Sequence, residues 1–264
     1  MKKIIITLAA LALLCASASA FTTREHATVA YIAEQHLKPA TKKKLAKILH
    51  NQHLTEFSSW PDFYRMAMKS PDGKQIGHMY KVDENFYPVD RDVHKSAYNA
   101  VKEAAERLRH YKDYNDSTVL ADMSVVVHLM GDLHCPSHIT YADERHKKIK
   151  EINYVMYFGK KATKPRKIKY HAFWDSWCMD QRYSGGYMEL ADIFDIKTAK
   201  EIKEIQKGTL EDWIHDSAET CKEIYDVEDK ALVDRIYVID KAAIARDQIT
   251  KAGYRLAALL NDIF

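Results

Sequence analysis

The stretch VVVHLMGDLHCPSH, residues 125–138, sets three histidines and an aspartate among apolar and small side chains. Burying an imidazole or a carboxylate costs free energy unless a partner compensates it, so such a cluster points to a metal or a catalytic centre. At about 100° per residue on a helix, His128 and Asp132 lie about 40° apart and share a face. His134 falls about 140° from their midpoint and reads as a separate, buried and hydrogen-bonded histidine. Pro136 lacks an N–H and restricts Cys135 before it, which ends the helix. His138 follows that break, where a turn can return it to the centre that His128 and Asp132 face.

Helical spacing continues on both sides. HATVAYIAEQHL (26–37) aligns Val29, Ile32, Ala33 and Leu37, and KSAYNAVKEAAERLRHY (95–111) aligns Ala97, Val101, Ala104 and Leu108. GTLEDWIHDSAETCKEIY (208–225) and IARDQITKAGYRLAALLNDIF (244–264) add two more amphipathic segments. Glycine and proline number only eight and six, and period-2 alternation is scarce, so the pattern predicts an all-α fold. Loops are expected at 70–77, 83–92 and 142–169, with NYVMYFG (153–159) as a candidate short strand. No repeat or composition shift divides the chain, and 21–264 reads as a single domain.

The opening MKKIIITLAALALLCASASA has two lysines, an apolar run and a small-residue end, the pattern of a secretory signal peptide spanning 1–20. Leu14 before Cys15 does not suit a lipoprotein signal, so cleavage is expected after Ala20, with a secreted or periplasmic product. Setting aside Lys2 and Lys3, 38 of the 40 basic residues face 37 acidic ones, a balance that gives no support to a duplex-DNA clamp. Residues 147–169 depart from it, with nine basic residues against one acidic: a solvated loop or a footing for phosphates. Cys135, Cys178 and Cys221 permit at most one internal disulfide, and whether Cys178 and Cys221 pair is left open.

Further donor groups are spread along the chain. YHAFWDSW repeats the i, i+4 spacing with His171 and Asp175. One such pair is an ordinary helix-surface ion pair, but two of them amid aromatic residues are harder to read that way. SSWPDFYR supplies Asp62, which also suits a helix start, and QIGHMYKV supplies His78. After cleavage, the α-amine and carbonyl of Phe21 become a chelating pair, with His26 returning from the first helical turn. The seven other histidines (36, 50, 53, 94, 110, 146 and 215) read as surface groups.

In order, F21…H26, W60-P-D62, H78, H128-LMG-D132-L-H134-C-P-S-H138 and H171-AF-W174-D175 resemble the trinuclear-zinc single-strand nuclease family of the nuclease S-one and nuclease P-one type, with bacterial zinc phospholipase C as a distant relation. The resemblance runs over essentially all of 21–264 and implies the phospholipase C/P-one nuclease-like helical fold. It also implies three Zn(2+) per chain: one held by Asp62, His78, His128 and Asp132, one by His138, His171 and Asp175, and one by Phe21, His26 and Asp132. The implied activity is hydrolysis of single-stranded DNA or RNA to 5′-nucleotides by metal-activated water, with Asp62 orienting the nucleophile and Arg65 stabilising the phosphate charge. A 3′-nucleotidase activity goes with it, and the implied partner is single-stranded nucleic acid or a nucleotide; neither stable membrane insertion nor a protein partner is indicated.

Departures from the family pattern are Phe21 for tryptophan, C-P-S for Q-P-L between His134 and His138, Met79-Tyr80-Lys81 after His78, and Ile149-Lys150-Glu151 where the family carries G-G-N. A zinc phospholipase C-like lipid hydrolase fits less well, because His26 follows the new terminus by only five residues and Asp175 stands where that group has glutamate. A non-catalytic zinc-binding secreted protein is the third reading.

Overall fold

The computed structural model describes residues 21–60, 75–89 and 96–264. Its framework is a set of helices: α1 (Thr23–Gln35), α2 (Pro39–Ile48), α3 (Leu54–Phe57), α4 (Ala97–Arg109) and α5 (Asp116–Asp132) in the first half. In the second half come α6 (Tyr170–Ala172), α7 (Cys178–Arg182), α8 (Tyr187–Phe194), α9 (Ala199–Ile205), α10 (Leu210–Cys221) and α11 (Arg235–Ile263). A π-helical turn, Phe173–Trp177, joins α6 to α7.

The helix around VVVHLMGD lies in the middle of this assembly. Asn115 starts α5 by accepting from the Thr118 N–H, and Met123 through Asp132 are all buried. A helix buried on every side shows little amphipathic pattern, which is why its polar residues stand out. α5 packs against α4, α1 and α11. The last of these begins nine residues before the periodic segment 244–264, because Asp234 caps it by accepting from the Ile236 and Tyr237 N–H groups. α1 crosses α11 at Gly253, where a Cβ would lie 2.6 Å from Ile32 Cγ2; the glycine permits the close approach that buries both helices.

Residues 142–169 are not the loop that the sequence suggests. β3 (Glu151–Tyr154) pairs antiparallel with β6 (Arg166–Lys169), setting Ile152 opposite Ile168, and β7 (Leu232–Val233) joins β3 in parallel. Between them, β4 (Tyr157–Phe158) and β5 (Lys161–Ala162) form a hairpin. The candidate strand 153–159 is therefore split at Val155 and Met156. Each strand is too short to register as alternation in a sequence window, and long-range pairing decides the matter. Among the described residues no helix is long and apolar enough to cross a membrane. Cys135, Cys178 and Cys221 are all buried free thiols, so the possible Cys178–Cys221 pair is not formed.

Candidate metal centre

Asp132 closes α5 and is wholly buried. Three imidazoles from three parts of the chain meet its carboxylate: His128 Nε2 at 3.3 Å from Oδ2, and His26 Nε2 and His138 Nδ1 each at 3.4 Å from Oδ1. These separations are long for charge-assisted hydrogen bonds. They match the edges of a tetrahedron around a cation, since ligand bonds of about 2.0–2.1 Å give ligand–ligand distances of about 3.3 Å. A second carboxylate, Asp175, repeats the arrangement, with His138 Nε2 and His171 Nε2 each at 3.4 Å. His138 thus links the two carboxylates, one ring nitrogen facing each.

Local structure explains each placement. His128 and Asp132 sit one turn apart, as their spacing predicts. The Nδ1–H of His128 donates to the Ser58 carbonyl at 2.7 Å, which sets the tautomer and leaves Nε2 to face the centre. The helix stops at Asp132, and Pro136–His138 forms a 3-10 turn that swings His138 back. β1 (Tyr80–Lys81) pairs in parallel with β2 (Ile139–Thr140), with Tyr80 opposite Ile139. That register brings His78 beside His138, their ring centroids 4.9 Å apart. His171 begins near the end of β6, and the π-helical turn carries Asp175 back toward it; such turns are frequent at functional sites.

Among the described residues three donor groups result, each with its ligand atoms within 4.8 Å of one another: His26 with His128 and Asp132; His78 with His138 and His171; Cys135 with His138 and Asp175. His78 thus shares a donor group with His138 and His171, while Asp132 and His128 are also near enough to act on its charge. Phe21 is wholly buried, its ring edge-on to His26 at 6.2 Å. Asp62 and Arg65 lie outside the described residues, and so does His94 among the histidines assigned to the surface. Of the others, His50, His53 and His110 are exposed, whereas His36, His146 and His215 are half-buried.

Burial works to raise the Asp132 carboxyl, yet His128, His138 and His26 outweigh it and hold the group well below the usual carboxylate range. Burial wins at Asp175, whose pKa rises to about 7 against the pull of His171. His78 and His171 are both lowered by burial, which favours the neutral imidazole that a metal requires. Burial pushes the Cys135 thiol well up, so it stays protonated beside Asp175.

His134 stands apart, as its position on the helix predicts. Its Nδ1 bonds the Met130 carbonyl at 2.8 Å, and its Nε2 accepts from Arg255 at 3.0 Å. Burial and the Arg255 charge lower its pKa to about 3. The unfolded chain, with an ordinary histidine near 6.5, then binds the extra proton first. The stability due to neutral His134 is complete above about pH 6.5 and is lost as pH falls toward 3. Replacing it with Asn should flatten the pH dependence of the unfolding midpoint between about pH 6.5 and 5; an unchanged slope in thermal melts would contradict this.

Three supports escaped sequence reading. Ser137 donates to Asp175 Oδ1 at 3.2 Å. Buried Glu25 is bridged by Arg24 at 2.7 Å, and Arg24 also reaches Asp180 at 2.8 Å, tying the start of α1 to α7. Gly131 leaves room for the His26 ring, because a Cβ there would lie 2.6 Å from its Nδ1. Only the last has a signal in sequence, a lone glycine inside a helical pattern beside the donors.

The helical framework is of the phospholipase C/P1 nuclease type, and it buries nitrogen–oxygen donor groups able to hold metal ions. The S1/P1 nuclease family model matches residues 21–264, the whole of the described span, and the chain belongs to that family. Among solved structures it is similar to "Alpha Toxin from Clostridium Absonum", with a TM-score of 0.52 and 15% identity over 93% of this chain and 67% of the toxin. It also matches an alpha-toxin of Clostridium perfringens from an avian strain, with a TM-score of 0.46 and 16% identity over 93% of this chain and 66% of that one. No curated protein sequence matches the chain.

Proposed function

We propose that this protein is a zinc-dependent phosphodiesterase that hydrolyses single-stranded DNA or RNA to 5′-nucleotides. The observation that carries the reading is the Asp132 hub, where three imidazoles stand at tetrahedral ligand spacing around one buried carboxylate. A histidine and carboxylate donor set suits catalytic zinc. Zinc held there supplies Lewis acidity, making water acidic near neutrality and stabilising charge that develops on phosphate oxygens. Asp132 would serve two metals and Asp175 with His171 would complete the opposite side, while the Ser58 carbonyl and the Ser137 hydroxyl hold His128 and Asp175 in orientation. Asp62 and Arg65, outside the described residues, are assigned to orienting the nucleophile and to neutralising the phosphate by their match to the family motif.

Residues 1–20 are proposed to be removed as a signal peptide, which places the product outside the cytoplasm and makes 21–264 the nuclease domain. The Phe21 amine and carbonyl would then join His26 and Asp132 as donors. Burial of Phe21 against His26 supports this. One extra residue before Phe21 should therefore lower zinc bound per chain by about one ion and leave the far-ultraviolet helical signal unchanged; full zinc content in the extended protein would refute terminal ligation.

The function is tested by measuring zinc in the processed chain together with hydrolysis of denatured DNA and of phosphatidylcholine. Zinc-dependent release of 5′-nucleotides supports the reading. Turnover of the lipid alone would make the protein a phospholipase, and bound zinc with no turnover of either would make it a non-catalytic zinc protein.

A further inference from the structure

The β4–β5 hairpin and the start of α11 share a face that the metal centre does not use. Met156, Tyr157 and Phe158 are 46%, 55% and 69% exposed, and Ile236 and Ile239, 69% and 38% exposed, lie on the same shallow groove. Contiguous apolar side chains this open mark an interaction surface. Gly159, in the left-handed region at φ 62°, makes the turn, and Phe158 pairs with Lys161 so that a ring and an ammonium share one face of the hairpin.

The hairpin side of the patch is basic, whereas the α11 side carries Asp234 and Asp240. From Met156 to Lys169 the chain carries six basic residues and no acidic one. Lys167 meets Glu151 at 3.2 Å, and Asp234 in the groove is engaged in capping α11. Lys160, Lys161 and Lys164 stand exposed, Lys161 directly across from Phe158.

We propose that this face docks the protein on an anionic lipid surface. The aromatic and aliphatic side chains enter the boundary between headgroups and acyl chains, and the lysines meet lipid phosphates. Met156, Ile236 and Ile239 decide between lipid and single-stranded nucleic acid. Bases stack on rings, whereas these aliphatic groups gain only by leaving water. The docking does not depend on the catalytic reading.

The test is cosedimentation of the chain from Phe21 onward, the span that the family model matches, with vesicles of phosphatidylglycerol and phosphatidylethanolamine or of phosphatidylcholine alone. Binding is expected to the anionic vesicles, weakening as salt is raised. Tyr157→Ser combined with Phe158→Ser should lower partitioning about tenfold or more. Lys160→Glu with Lys161→Glu should do the same, and both pairs should leave zinc content and the unfolding midpoint unchanged. Failure of the wild-type chain to bind anionic vesicles overturns the proposal, and so does equal binding by the ring variant. Loss of oligonucleotide affinity in that variant with vesicle binding intact would assign the face to nucleic acid. Dimerisation abolished by it, without vesicle binding, would assign the face to self-association.

Discussion

Asp132→Asn is expected to abolish most of the zinc binding and to lower phosphodiester hydrolysis at least about a hundredfold. The substitution keeps the size of the side chain and removes its charge. Among the described residues, Asp132 is the carboxylate that His26, His128 and His138 all face, at 3.3–3.4 Å. The loss therefore falls on more than one metal position. Zinc per chain, measured after dialysis, should drop, and the rise in unfolding temperature that zinc confers on the wild-type chain should shrink with it. A variant that unfolds earlier yet binds zinc with unchanged affinity would reduce Asp132 to a structural role and remove the basis of the hub.

Gly131→Ala tests the same centre from its second layer. Alanine is favoured over glycine inside a helix by about 1 kcal/mol, so propensity alone predicts a more stable protein. Close packing predicts the reverse. The added Cβ would lie 2.6 Å from His26 Nδ1 and 2.9 Å from Cε1. His26 is wholly buried and its ring is stacked on His128 with centroids 4.0 Å apart, so it has no open side to move into. Overpacking of this kind costs about 1–3 kcal/mol, more than the propensity gain. The metal-free protein should melt earlier, and zinc affinity should fall roughly 10- to 100-fold as His26 turns away from Asp132. Chelator competition measures the second effect; a stabilised variant with full affinity would show that the ring adapts freely.

Much of this arrangement is legible from residue order, because it is local. The four-residue spacing of His128 and Asp132 is enough to put both on one face, and the same spacing brings His171 and Asp175 within 3.4 Å even though Asp175 sits in a π-helical turn. Pro136 marks the end of the helix, and the offset of His134 separates it from the donors. The helical character follows from spacing repeated over many turns.

Other features depend on which distant segments meet. Residues 142–169 read as a loop because strands of two to four residues are defined by partners such as Ile168 and Val233 rather than by their own pattern. α11 starts early because a cap at Asp234 outweighs weak periodicity.

Residue order by itself determined the helical class, the facing pairs and the identity of the donor atoms, since helix geometry converts spacing directly into direction. Only the tertiary structure decided that His78 settles beside His138, that Gly131 makes room for His26, that Ser137 braces Asp175, and that an apolar hairpin carrying exposed lysines faces outward. Those are contacts between elements far apart in the chain, and close packing sets them; no local spacing encodes the distance between two helices.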